Sequence, residues 1–302
     1  LCRGLLRTRN IGPVPVKGVS EPIEAHELIG ISTRTRFQAN ALRGLSPLVG
    51  REAALGVLLE ALTRTLSGQT TFAILSGEPG IGKSRLCYEL MHRAGERCRI
   101  VEAAAASYGQ LTSHGVLASL ARALLGIEDD DALPQLTHKS GSWLREHGVQ
   151  TAQHLPVLLE LLGVPSREPA LARLDPVQRK RYVELTLQSM LTAFCSRGPS
   201  ILLFEDLHWC DVDSLAFISK LIAAPPVTHA LFLLTSRPGL QLTATEMPHV
   251  VRCEINGLEA ADAHALLRAA DTALFRAKEL GRNGWSLFVP QLLEAASSRF
   301  KV

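Results

Sequence analysis

The segment Gly77-Glu78-Pro79-Gly80-Ile81-Gly82-Lys83-Ser84 constrains this chain more than any other, because it fits GxxxxGK[ST] and lies between a strand-like run and a helical run. Residues 70–76 (TTFAILS) are apolar enough for a strand covered on both faces, and helical spacing resumes over residues 83–94. A glycine-rich turn at such a junction lets backbone N–H groups face inward around phosphate oxygens, and the helix N-terminus adds partial positive charge. Lys83 then predicts an ammonium on the β- and γ-phosphates, and Ser84 a hydroxyl for Mg2+. The expected ligand is ATP with Mg2+. Its contacts are assigned to Gly77, Glu78, Pro79, Gly80, Ile81, Gly82, Lys83, Ser84 and the adjoining Arg85.

Such a loop needs an acid at the end of a second strand, so that the metal is anchored opposite the serine hydroxyl. Residues 201–204 (ILLF) followed by Glu205 and Asp206 meet that need. Ser84, Glu205 and Asp206 are therefore the candidate metal-site residues. One acid would hold the metal and the other orient the attacking water, and the sequence leaves open which does which.

The remaining pattern alternates strands with helices. Residues 98–104 read as a strand, and residues 113–198 as mostly helical, with breaks around 129–134 and 163–169 and a long last helix over 176–195. Residues 213–222 are helical, 230–234 form an apolar run ending at Thr235-Ser236-Arg237, 250–255 read as a strand and 260–280 as a helix. The predicted class is α/β: a P-loop NTPase with a parallel β-sheet flanked by helices and a largely helical insert between the second and third core strands. Residues 1–30 read as a small β element too short to hold a core, and residues 31–46, polar and basic, as a linker. The P-loop domain is expected over 47–258, with a separate terminal segment over 259–302.

The residues Glu205-Asp206-Leu207-His208-Trp209-Cys210-Asp211, with Ser214 and Leu215 following, resemble the EDLHWAD…SL signature of STAND-type ATPases in the AAA+-like P-loop class. Leu48-Val49-Gly50-Arg51-Glu52 is similar to the VGRE segment that opens that nucleotide domain. The resemblance implies that Gly50 and Arg51 lie near the adenine and that Thr235-Ser236-Arg237 is the sensor segment. It further implies that the sensor strand lies between the P-loop and acidic strands, with Arg237 as a third catalytic residue at the γ-phosphate. Cys210 departs from the usual alanine, which a small buried side chain tolerates. His208 and Trp209 read equally well as packing residues. Asp211 and Asp213 are expected to cap the next helix.

The two ends resemble other families. Residues 10–30 (NIGPVPVKGVSEPIEAHELIG) are similar to the last strands of class III adenylate/guanylate cyclase domains, which bacteria fuse to such ATPases; the metal aspartates of those domains are not in this chain. Residues 270–283 (ADTALFRAKELGRN) resemble the closing helix of a GGDEF domain, with Lys278 and Arg282 at its phosphate-contacting positions and no GGDEF signature ahead of them. These resemblances imply an ATPase module of a bacterial signalling protein tied to cyclic-nucleotide synthesis, covalently linked to its signalling domains, without cyclase activity of its own. The alternatives are an ATP sensor without turnover and, ranked last, the ATPase part of a transcriptional regulator. Self-association is expected if a neighbouring subunit's arginine must complete the site.

Composition bears on partners and compartment. The balance of 46% hydrophobic and 20% charged residues is that of a folded globular chain, and the net charge of +3 comes with no Lys/Arg run of the kind that binds nucleic acid. No apolar stretch reaches the ~20 residues of a spanning helix; even residues 116–127 are interrupted by Arg122. The six cysteines lack a CxxC pair and the ten histidines an HxxxH, so no transition metal or disulfide framework is assigned and a reducing cytoplasm is expected. The chain begins at Leu1 and not at methionine, from which a fragment of a longer protein is expected.

Overall fold

Runs such as Ile201-Leu202-Leu203-Phe204 can be satisfied only where both faces of a strand are covered, and that demand organises the molecule. The structure is a computed structural model that describes residues 6–15, 22–31, 45, 47–105, 114–128, 130–165, 173–226, 229–243 and 246–279. The chain divides into two compact units, Leu1–Glu52 with Gly257–Val302, and Ala53–Asn256.

In the second unit five strands form one sheet: β3 (Thr71–Gly77), β4 (Arg99–Ala104), β5 (Ser200–Glu205), β6 (Ala230–Ser236) and β7 (Val250–Ile255). Their order is β4-β5-β6-β3-β7, and every pairing is parallel. All residues of β5 and β6 are buried, whereas the edge strands β4 and β7 expose charged positions such as Glu102 and Arg252. Charged edges discourage pairing with a further strand. Phe72 stacks on Phe232 with ring centroids 4.5 Å apart, joining β3 to β6. The sheet is flanked by α1 (Glu52–Leu66), whose Leu55, Leu58 and Leu62 are buried, by α2 (Lys83–Ala94), and by α7 (Val212–Ala223).

Between β4 and β5 runs the expected helical insert: α3 (Gly115–Leu125), α4 (Leu133–Glu146), α5 (Thr151–Leu161) and α6 (Pro176–Cys195). Leu117, Leu120, Leu144, Leu158, Leu187 and Leu191 share its core with the sheet. Asp175 caps α6, accepting from Gln178 N at 2.8 Å while the Gln178 side chain returns to Asp175 N at 3.1 Å. Two details differ from the sequence reading. Pro134 lies in the first turn of α4, where its missing N–H costs nothing, and α3 already ends at Gly126 with φ 61°. A further break at residues 147–150 separates α4 from α5, with Gly148 at φ 68°.

In the first unit β1 (Leu6–Val14) and β2 (Ile23–Ile31) pair antiparallel, and α8 (Ala260–Glu279) runs unbroken through Ala270. Residues 270–279 of the segment resembling a GGDEF closing helix thus continue a longer helix that starts ten residues earlier. Arg282 and all of the proposed linker except residues 31 and 45 lie outside the described residues.

Candidate functional site

Parallel strands present their C-terminal ends at one edge of the sheet, where ligands of open α/β folds bind. β3 and β6 run in register to Ser76 and Ser236, and β5 and β6 to Phe204 and Leu234, so Gly77, Glu205 and Arg237 emerge at the same edge. Gly77 has no room for a side chain: a Cβ there would lie 2.7 Å from Ile255 O and 2.9 Å from Ile81 Cγ2. Gly80 and Gly82 have φ of 76° and 107°, a left-handed backbone that glycine adopts at least cost. Gly82 is also the N-cap of α2 and offers no side-chain cap, which leaves the first amides of that helix for an anion. Glu78, Pro79 and Gly80 are exposed at the loop's crest, and Ile81 N donates to Glu78 O at 3.3 Å.

Lys83 is buried, and its Nζ donates to Gly77 O at 2.7 Å and Glu78 O at 3.0 Å. Burial lowers its pKa, Asp206 opposes that shift, and the charge of Arg237 adds to it. Arg85 lies further along α2, 3.4 Å from Glu89 Oε2 and 5.9 Å from the Tyr88 ring centroid.

The two acids have different surroundings. Glu205 is buried, and its carboxylate accepts a hydrogen bond from the Ser84 side chain, joining β5 to the first turn of α2. Burial pushes its pKa up to about 7, with the Ser84 hydrogen bond opposing and the charges of Asp206 and Glu102 assisting. Asp206 is half exposed with φ 57°, and its amide donates to Thr235 Oγ1 at 3.0 Å. His208 Nδ1 is 3.9 Å from Asp206 Oδ1, and burial lowers the imidazole pKa against the pull of that carboxylate. The Arg237 guanidinium lies 5.2 Å from the centroid of the Trp209 ring.

Asp211 caps α7 as expected, accepting from Ser214 N at 2.9 Å and Ser214 Oγ at 2.6 Å; it also accepts from Gly115 N at 3.1 Å at the start of α3. Burial alone would raise its pKa, but these bonds hold it low. Asp213 is instead ion-paired with Lys180 at 2.5 Å. Cys210 is buried, which drives its thiol pKa to about 12. Gly50 and Arg51 belong to the other unit, where Gly50 has φ 65° and a Cβ would meet Asp262 Oδ2 at 2.5 Å. The bond of Asp206 to Thr235, the charge of Glu102 and the reach of Asp211 to α3 escaped the sequence reading, since each joins elements distant along the chain.

The donor set fits a metal-bound polyphosphate. Among the described residues no three His, Cys, Asp or Glu side chains form a metal cage. A hard cation here would rest on Ser84, one or two carboxylates and phosphate oxygens, the usual mode for magnesium. A buried lysine on loop carbonyls and uncapped helix amides supply the opposite charge.

Residues 47–234 match the family model described as "AAA ATPase domain". An uncharacterized protein of Rhizobium meliloti (strain 1021) is 25% identical over 300 residues, covering 95% of this chain; the chain spans 28% of that relative's length. Among solved structures, Cdc6p from Pyrobaculum aerophilum aligns with TM-score 0.39 and 15% identity, over 69% of this chain and 47% of that one. The Aeropyrum pernix Orc1 protein in complex with DNA aligns with TM-score 0.42 and 13% identity, over 85% and 63%. The fold stands on its own sheet order and the family match. Among the described residues no helix is long and apolar enough to cross a membrane.

Proposed function

The chain belongs to the AAA ATPase domain family over residues 47–234, and from that premise we propose that it binds ATP with Mg2+ and hydrolyses it slowly, as the regulatory module of a bacterial signalling protein linked to cyclic-nucleotide synthesis. The observation that carries the nucleotide part is the Ser84–Glu205 hydrogen bond beside a lysine held on the loop carbonyls. The signalling part rests on the cyclase-like residues 10–30 and the GGDEF-like residues 270–283. Residues 1–30 would be the end of a cyclase-like domain, 31–46 a linker, 47–258 the ATPase domain and 259–302 a terminal segment.

The chemistry assigned to each residue follows from its surroundings. The N–H groups of residues 78 and 80–84 and the N-terminus of α2 bind phosphate oxygens, and Lys83 holds the β- and γ-phosphates. A bound magnesium ion would neutralise charge on those oxygens. Glu205, beside Ser84, is the carboxylate on the metal side. Asp206, half exposed, with its backbone N–H bonded to Thr235 and its carbonyl to Trp209 N, orients the attacking water and accepts its proton. Arg237 stabilises charge on the transferring group. Gly50 and Arg51 are assigned to the adenine by family resemblance, and Arg85 to the outer phosphate contacts.

Asp206→Asn tests the assignment. Phosphate release should fall about 100-fold or more while ATP binding persists, as loss of a general base predicts. Unchanged release from the variant would contradict the role. Binding without release by the wild-type chain would favour a sensor that does not turn over.

A further inference from the structure

The loop after β5 is tied to the end of β6 at two points of different character. At Thr235 the tie is a hydrogen bond, Oγ1 accepting from Asp206 N at 3.0 Å, on a residue that is fully buried. At Arg237 the tie is a cation over an indole, with the guanidinium carbon 5.2 Å from the Trp209 ring centroid. Trp209 is itself held in place: its amide donates to Asp206 O at 2.9 Å, and its ring lies 5.0 Å from the His208 ring. Arg237 is exposed and forms no ion pair among the described residues, yet its charge is felt at Lys83 and at His208. An exposed cation–π contact is weaker than charge-assisted hydrogen bonds between arginine and phosphate. The guanidinium therefore lies on a site that a nearby phosphate would outcompete.

We propose that Trp209 is the resting platform for Arg237, so that arrival of a third phosphate draws the guanidinium off the indole and the loop of residues 206–211 reports ATP as distinct from ADP. Trp209 is then a positioning residue and not a catalytic one. This inference rests on the reading of the site as an ATP site. It deepens that reading by naming what holds the arginine when no γ-phosphate is present. Without the ring, a long flexible side chain would sample many rotamers away from the sheet edge.

Incorporation of 5-fluorotryptophan into the full chain gives resonances from Trp143, Trp209 and Trp285, and the one lost in Trp209→Phe is assigned to Trp209. With Mg2+, a non-hydrolysable ATP analogue should shift the Trp209 resonance by more than its linewidth while ADP shifts it far less. In Arg237→Ala, which alters an exposed side chain, the two nucleotides should give the same Trp209 position. Calorimetry on the same samples records whether each nucleotide binds. Binding of both nucleotides with equal Trp209 shifts, or an ATP-specific shift that survives in Arg237→Ala, would overturn the inference and leave the ATP site standing. Absence of any binding by the wild-type chain would remove both.

Discussion

A carboxyl group at the buried end of a central strand is a liability unless a cation joins it, and Glu205 is such a group. Its pKa of about 7 lies above the ordinary value of 4.5, mainly through burial. The folded state then keeps a proton that the unfolded chain has released, so stability falls as pH rises from 4.5 to about 7 and levels off above that. Glu205→Gln keeps the shape and removes the charge. Its melting temperature should match the wild type near pH 4 and exceed it at pH 8, by a stability difference on the order of 3 kcal/mol. Parallel pH profiles for the two proteins in thermal melts would contradict this. At this scale the contiguous residues were legible: Lys83 and Ser84 announce themselves because loop chemistry is local. The division of labour proposed for Glu205 and Asp206 was not, because it rests on which acid faces Ser84 and which faces solvent. That is set by the left-handed turn at Asp206 and by Thr235, 29 residues further along.

At the scale of elements, Asp211 joins more of the structure than its place in a short signature suggests. It caps α7 and also receives the Gly115 amide, so it binds the loop after the acidic strand to the first helix of the insert. Asp211→Ala should cost about 2 kcal/mol, from a lost cap and the partly buried Gly115 amide left without its acceptor. Urea titration should show a lower midpoint with an unchanged slope, and a loss under about 0.5 kcal/mol would show the bridge to be idle. Elements with local punctuation were read to the residue. α6 begins where Asp175-Pro176 caps it, and α2 where the glycine loop ends. The break between α4 and α5 was missed because residues 147–150 lack proline, although Gly148 was the available signal. Periodicity gave the strands but not their order, since lateral neighbours come from distant parts of the chain. The position of β6 between β3 and β5 followed only from family resemblance.

At the scale of the molecule, the residues proposed to meet phosphate and metal, from Gly77 to Arg85 with Glu205, Asp206 and Arg237, lie in the unit Ala53–Asn256, while Gly50 and Arg51 fall in the other unit. A ligand that binds only the folded unit must stabilise it, by about 2.7 kcal/mol at a hundredfold excess over Kd. The measurement that bears most directly on the account is titration of the full chain with a fluorescent ATP analogue, with and without Mg2+, beside Lys83→Ala. The account predicts saturable binding strengthened by Mg2+ and weakened at least about tenfold in the variant, the loss expected for charge-assisted contacts to phosphate. Equal affinity of the two proteins would contradict it.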